Sequence, residues 1–186
     1  MNLTIIDYKE IVHSVYKQSL ILMTTDIQTK QVFVGVDPGG RHQGVSVYVG
    51  NMVFINQIDF RLEKNPVQSM LNIMESIKDC ILPHKGDIET SLAVVEGASY
   101  GERFGQVSLS ESRAAAMIIL NNLGFQVTKI PPTKVRFLAL GNGKEKGEKF
   151  FDFPHDALAS FLCCLAAVRL LDTDHLYKEV LLMPSQ

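Results

Sequence analysis

Between Val32 and Gly50 the chain reads VFVGVDPGGRHQGVSVYVG. Val32, Val34 and Val36 alternate with Phe33, Gly35 and Asp37. This is the two-residue period of a strand, whose successive side chains face opposite sides of a sheet. Pro38, Gly39 and Gly40 break the run with residues suited to a turn. Val45, Val47 and Val49 then restart the alternation, so the stretch predicts a β-hairpin with a carboxylate at the end of its first strand. Asp-Pro-Gly is ordinary turn chemistry. Asp37 is therefore either a turn residue or a cation ligand facing a shared site, with Gly35 leaving room beside it on the same face. Partners from elsewhere in the chain decide between the two.

A chain of 186 residues is most simply one domain with a substantial core. Its formal charge of −2 creates no global basic field, so nucleic-acid binding would need a local patch. The three cysteines, Cys80, Cys163 and Cys164, have neither metal-ligand spacing nor an even number. They read as reduced core residues of a cytoplasmic protein. No basic-then-apolar leader opens the sequence. The longest apolar run, Ala157 to Val168, is too short to span a bilayer and stops at Arg169. No membrane association is expected.

Residues 1–31 carry a loose helical stripe of Ile6, Ile11, Val12, Val15 and Leu20, read as an N-terminal helical extension. Met52 to Phe60 predicts a third strand, antiparallel to the second. Pro66 opens a helix with Met70, Ile73, Met74 and Ile77 on one face. Leu92 to Val95 is a short buried strand that delivers Glu96 at its end. A polar loop from Ala98 to Gln106 carries Tyr100, Arg103 and Phe104. A long helix follows from Val107 to Leu123 and stops at Gly124. Phe125 to Ile130 is a further strand, and Thr133 is the expected N-cap of a short helix through Leu140. The last helix is expected from Pro154 to Leu171, followed by a tail at 172–186 without a clear pattern.

From Lys129 to Lys149 the chain carries six basic residues against two acidic ones, a local net of +4. This segment is either a solvated loop or a phosphate-contacting patch. Glu96, at the end of a buried strand, must be solvated, hydrogen-bonded or bound to a cation. Asp156 suits a helix N-terminus through the dipole alone, and His155 reads equally as a surface histidine. Yet three acids, Asp37, Glu96 and Asp156, stand at element ends far apart in sequence. Gathered on one sheet face they would repel one another, and divalent cations relieve such repulsion. Two Mg²⁺ ions can activate water and stabilise the leaving oxygen in phosphodiester hydrolysis.

This order and four motifs resemble the RuvC family of Holliday-junction resolvases, within the ribonuclease H-like superfamily. The motifs are VGVDPGGRHQGVSVY, VVEGASYG, PPTKVRFLALGNGKEK and HDALASFLCCLA, and the likeness runs from about Val32 to Val168. It implies an α/β fold: a ribonuclease H-like mixed sheet of three antiparallel strands followed by parallel strands, flanked by helices. The nuclease domain would span residues 32–171. By position, Asp37 resembles the family's first catalytic acid, Glu96 the second and Asp156 the last. Asp37 would bridge two metal ions, with Glu96 on one and Asp156 on the other. Arg136 and the Gly-Asn-Gly-Lys loop fall where the family carries basic residues near the scissile phosphate, and Tyr100 where it places an aromatic near the junction. Lys134, Arg136, Lys144 and Lys146 would hold phosphates, with Arg103 beside them in the Tyr100 loop.

Two departures stand out. The family carries an acid or a histidine three residues before the last Asp, where this chain has Phe153. Asp152 and His155 are the substitutes at hand; Asp152, four residues before Asp156 but ahead of Pro154 and so outside the helix, is preferred as fourth ligand. The segment between the Gly-rich loop and the last helix is also short, lacking a helix that the family has there.

The resemblance implies a Mg²⁺-dependent endodeoxyribonuclease, with Mn²⁺ as a substitute, that resolves four-way or other branched DNA. Paired cuts require two active sites, hence a homodimer, with the Val107–Leu123 helix and the N-terminal helix as interface candidates. One alternative is a non-catalytic relative that binds branched nucleic acid or a protein partner. Another is an actin-like or sugar-kinase-like ATPase, which would need two such hairpin domains where this chain has one.

Overall fold

A computed structural model of the chain describes residues 2–7, 31–39, 41–49, 52–60, 65–84, 91–98, 106–149, 151 and 153–181. Six strands form one sheet: β1 (Asn2–Asp7), β2 (Val32–Asp37), β3 (His42–Val49), β4 (Met52–Asp59), β5 (Ser91–Glu96) and β6 (Gln126–Ile130). Their spatial order is β1-β4-β3-β2-β5-β6. β2, β3 and β4 form the expected antiparallel meander, and β5 and β6 add parallel to β2. The mixed ribonuclease H-like sheet inferred from the motifs is therefore the sheet observed.

Four helices flank it: α1 (Pro66–Ile81), α2 (Gln106–Asn122), α3 (Pro132–Leu140) and α4 (His155–Leu181). Asn65 caps α1 by accepting a hydrogen bond from the Val67 N–H at 3.0 Å, with Pro66 in the first turn where its missing N–H costs nothing. Gly124, at φ 92°, turns the chain out of α2 in a left-handed conformation that suits glycine.

The pleat sorts side chains between two cores. Val32, Val34, Val36, Val45, Val47, Ala93 and Val95 pack with Ile73, Ile77, Ala116 and Leu120 under α1 and α2. Phe33, Tyr48, Val94 and Ile130 pack with Val135, Leu158 and Phe161 under α3 and α4. Asp37 has the parity of Phe33, and Glu96 that of Val94, so both acids leave the sheet on the α4 side. Among the described residues no helix is long and apolar enough to cross a membrane.

Gly35 corrects the expectation that it leaves open space beside Asp37. A Cβ there would lie 2.0 Å from the Ser160 carbonyl oxygen and 2.3 Å from the Cys164 nitrogen. Gly44 has the same role, since its Cβ would lie 1.8 Å from the Asp156 carbonyl oxygen. The two glycines let the α4 backbone rest directly on β2 and β3. A 2.8 Å hydrogen bond between the Ser46 and Ser160 hydroxyls locks the register from inside. All three cysteines are buried and free.

Three local expectations change. Asn2–Asp7 is a strand paired antiparallel to β4, not the start of a helix; the remainder of that expected helix, residues 8–30, lies outside the described residues. α3 begins at Pro132 with Pro131 as N-cap and no side-chain cap bond, so Thr133 lies inside the helix. α4 continues to Leu181, ten residues past the expected end at Leu171.

Candidate active site

Val36 of β2 pairs with Val95 of β5, so the next residues, Asp37 and Glu96, stand side by side where the two parallel strands end. Their carboxyls share a hydrogen bond. Two carboxylates cannot share one without a proton, and the raised pKa of Glu96 favours it as the protonated partner. Burial pushes the Glu96 pKa up to about 8 from 4.5, followed by the charge of Asp37 and the shared bond; Arg136 and Arg113 oppose the rise. Burial also raises Asp37, helped by the Asp156 charge, while the bond from Glu96 and the charges of His155 and Arg113 pull it down. The cause is the same for both: a carboxylate loses hydration under α4, next to another of its own sign.

α4 brings the third acid. Gly44 holds the helix start against β3, which places Asp156 in the first turn over the end of β2. One ligand atom from each of Asp37, His155 and Asp156 lies within 4.8 Å of the other two. His155 Nδ1 and Asp156 Oδ1 are 3.2 Å apart, and the histidine side chain is 80% exposed, so its ring is free to turn toward a ligand. Three acids and an imidazole form a donor set that suits a divalent cation, and burial raises the pKa of two of the acids, Asp37 and Glu96. Glu96 joins the group through Asp37.

Of the acids expected to bind a cation, Asp37 and Asp156 gather with His155, and Glu96 lies beside Asp37. Asp152, preferred as fourth ligand, lies outside the described residues, as do Tyr100 and Arg103. Phe153 points elsewhere: its ring packs edge-on against buried Phe161 at 5.9 Å and stacks with Phe151 at 6.0 Å. It takes part in the core at the entry to α4 and offers nothing to the acids.

An open cleft of about 360 Å³ borders the cluster between α3, the 141–149 loop and the start of α4. Glu96, Arg136, Lys146, Glu148 and His155 supply its polar lining, over Leu158 and Leu162. Arg136 lines the cleft, and its Nε is buried without a hydrogen-bond partner among the described residues. Lys134 and Lys144 are exposed and lie outside the cleft lining. Lys149 is engaged with Glu145 at 2.7 Å. The basic segment therefore divides into cleft cations, rim cations and a structural ion pair.

Arg113 is a residue the sequence reading passed over. Its Nε donates to the Glu96 carbonyl oxygen at 3.3 Å, and its charge favours the ionised forms of Asp37 and Glu96. The available signal was a lone arginine ahead of the Ala114–Ala116 run, in a helix whose inner face covers the sheet.

No protein-family model and no curated protein sequence matches the chain. Among solved structures it is similar to Thermus thermophilus RuvC, with a TM-score of 0.62 at 15% identity over 77% of this chain and 96% of that one. It is also similar to T. thermophilus RuvC in complex with a Holliday-junction substrate, with a TM-score of 0.65 at 14% identity and the same coverage. Five strands in the expected order, helices on both faces and these superpositions agree: this chain has a RuvC-like, ribonuclease H-like fold.

Proposed function

We propose that the chain is a divalent-cation-dependent endonuclease of branched DNA, with the four-way junction as principal substrate. The observation that carries this reading is the carboxyl cluster of Asp37, Glu96 and Asp156 beside a cleft lined by Arg136 and Lys146. The fold adds support, since a T. thermophilus RuvC of the same fold is seen with a Holliday-junction substrate.

Asp37, Glu96, Asp156 and His155 would hold Mg²⁺ or Mn²⁺, two ions in all. The metal supplies water activation and neutralisation of charge at the phosphate. The protein's own residues do the rest. Arg136 and Lys146 line the cleft and orient the phosphate there. Arg113 fixes the Glu96 backbone and so the direction of its carboxyl. A bound cation would favour the ionised form of Glu96, so metal affinity should rise toward alkaline pH. Paired cuts would come from a homodimer, for which α2, with Ile118 46% exposed, is a candidate interface.

The test is nicking of a labelled synthetic four-way junction and a linear duplex in Mg²⁺, Mn²⁺ and EDTA. Paired, metal-dependent cuts on the junction are expected. One observation favours a second reading, a non-catalytic binder of branched DNA: Phe153 sits in an aromatic cluster where a ligand would be expected. Tight junction binding without cuts in either metal would select that reading.

A further inference from the structure

Five large hydrophobic side chains are exposed among the described residues: Val67, Leu71, Leu82, Ile118 and Phe137. The first four belong to α1, the turn after it and α2, on the far side of the sheet from the acids. Phe137 alone lies on the side of the cleft. It is 59% exposed on α3, a helix that buries Val135, Ala139 and Leu140 on its other face. A single surface phenylalanine is unremarkable, so its surroundings decide its meaning.

Those surroundings are built. Gly141, at φ 77°, ends α3 in a left-handed turn and sends the chain back along the helix. The Lys144 N–H then donates to Asn142 Oδ1 at 3.0 Å, which folds the loop. A Cβ on Gly143 would come within 2.7 Å of the Thr133 carbonyl oxygen and 3.7 Å of Phe137 Cβ. The loop therefore lies against the root of the phenylalanine and braces it, while the ring stays in solvent. Cations stand near it along the chain. Lys134 is one helical turn away on the same face of α3, Lys144 is in the bracing loop, and the adjacent Arg136 reaches into the cleft with Glu96 and Lys146.

We propose that Phe137 is a stacking platform for an unpaired nucleobase of the DNA strand whose phosphates pass Arg136, Lys144 and Lys146. The inference rests on the nuclease reading and deepens it, by naming what the protein recognises next to the cleft. A braced aromatic ring set among cations is the chemistry that binds single-stranded nucleic acid, with stacking for the base and charge for the backbone. In a continuous duplex each base face is covered by its neighbours, so only a branch or an unpaired step offers a face to the ring. Phe137 thus favours branched over linear DNA without reading sequence. The charge of the surround is complementary to phosphate, whereas protein-binding patches are poor in lysine.

The experiment uses the full chain, without divalent metal so that no strand is cut. Its probes are a four-way junction with 2-aminopurine in the base pairs that flank the branch point, where stacking on the ring requires a base to leave its pair, and a linear duplex of matching composition. Wild type and F137W should bind the junction more tightly than duplex and quench the probe. F137A should bind the junction about 10-fold more weakly, lose the quench and leave the salt dependence unchanged, because no phosphate contact is removed. K144Q, by contrast, should lower the salt slope on both DNAs. Phe137 is largely exposed, so F137A should keep the wild-type melting temperature. If wild type prefers the junction and F137A binds and quenches equally well, the platform is refuted and the nuclease reading stands. If wild type shows no preference for branched DNA, both fall. An F137A protein that binds DNA normally but loses a protein partner would also overturn the inference.

Discussion

Replacing Glu96 by Gln removes a buried acid while keeping its shape and its capacity to donate to Asp37. In the folded chain Glu96 holds its proton up to about pH 8, against 4.5 for an ordinary glutamate. Between those values the unfolded chain has released a proton that the folded chain keeps, so stability falls as pH rises and levels off above about 8. At about 1.36 kcal/mol per pH unit, that interval sets a ceiling of ~5 kcal/mol on the loss. The burial of Asp37 acts in the same direction. Urea unfolding in EDTA from pH 5 to pH 9 would measure it. Wild type should lose on the order of 2–4 kcal/mol between pH 5 and pH 8.5, and E96Q should lose much less and be the more stable protein at the alkaline end. Mg²⁺ should restore the wild-type midpoint at pH 8.5 and shift E96Q less, through the Asp37, Asp156 and His155 donors that remain. A wild-type profile that is flat from pH 5 to 8, or an E96Q profile with the full decline, would refute the idea that Glu96 is a charge held neutral by its burial.

Asp37→Asn should abolish metal-dependent cleavage of a labelled four-way junction while leaving junction binding within about threefold; retained cleavage would sink the assignment of Asp37 as a metal ligand. Gly35→Ala places a Cβ 2.0 Å from the Ser160 carbonyl oxygen, which overpacks the sheet against α4. A loss of at least ~2 kcal/mol follows, read as a melting temperature lower by ~4–8 °C. His155→Ala should weaken Mn²⁺ more than Mg²⁺ in calorimetric titration, since imidazole prefers the softer ion. Arg113→Lys keeps the charge near the acids but loses the fixed reach to the Glu96 carbonyl, so it should lower cleavage about 10-fold with metal affinity within twofold.

The strand-end acids were legible because a strand announces itself locally. Val32, Val34 and Val36 state a period of two, the Asp-Pro-Gly turn marks its end, and the same parity places Asp37 and Glu96 on one side of the sheet. β1 was not legible. Adjacent Ile5 and Ile6 blur its alternation, and its place at the edge comes from pairing with β4, nearly fifty residues on. The start of α3 could have been read from Pro131-Pro132, since proline favours the first helical turn; Thr133 drew attention as a cap instead. α4 outruns its apolar stripe, because Asp172, Asp174 and His175 end the pattern without ending the helix.

What the sequence by itself determined is the set of chemical groups and the strand and helix ends that carry them: Asp37, Glu96 and Asp156, and a basic loop rich in glycine. Which groups meet was decided by tertiary structure. α4 begins at His155, and that start brings His155 within reach of Asp37 and Asp156, whereas Asp152 lies outside the described residues. Arg113 and Glu96 are seventeen residues apart and touch because α2 crosses the end of β5. Phe153 turns into the core because Phe151 and Phe161 are there to receive it. Local sequence sets where a side chain leaves the backbone, whereas its partner depends on how close two elements approach. Here two glycines, Gly35 and Gly44, set that distance by letting α4 lie on the sheet.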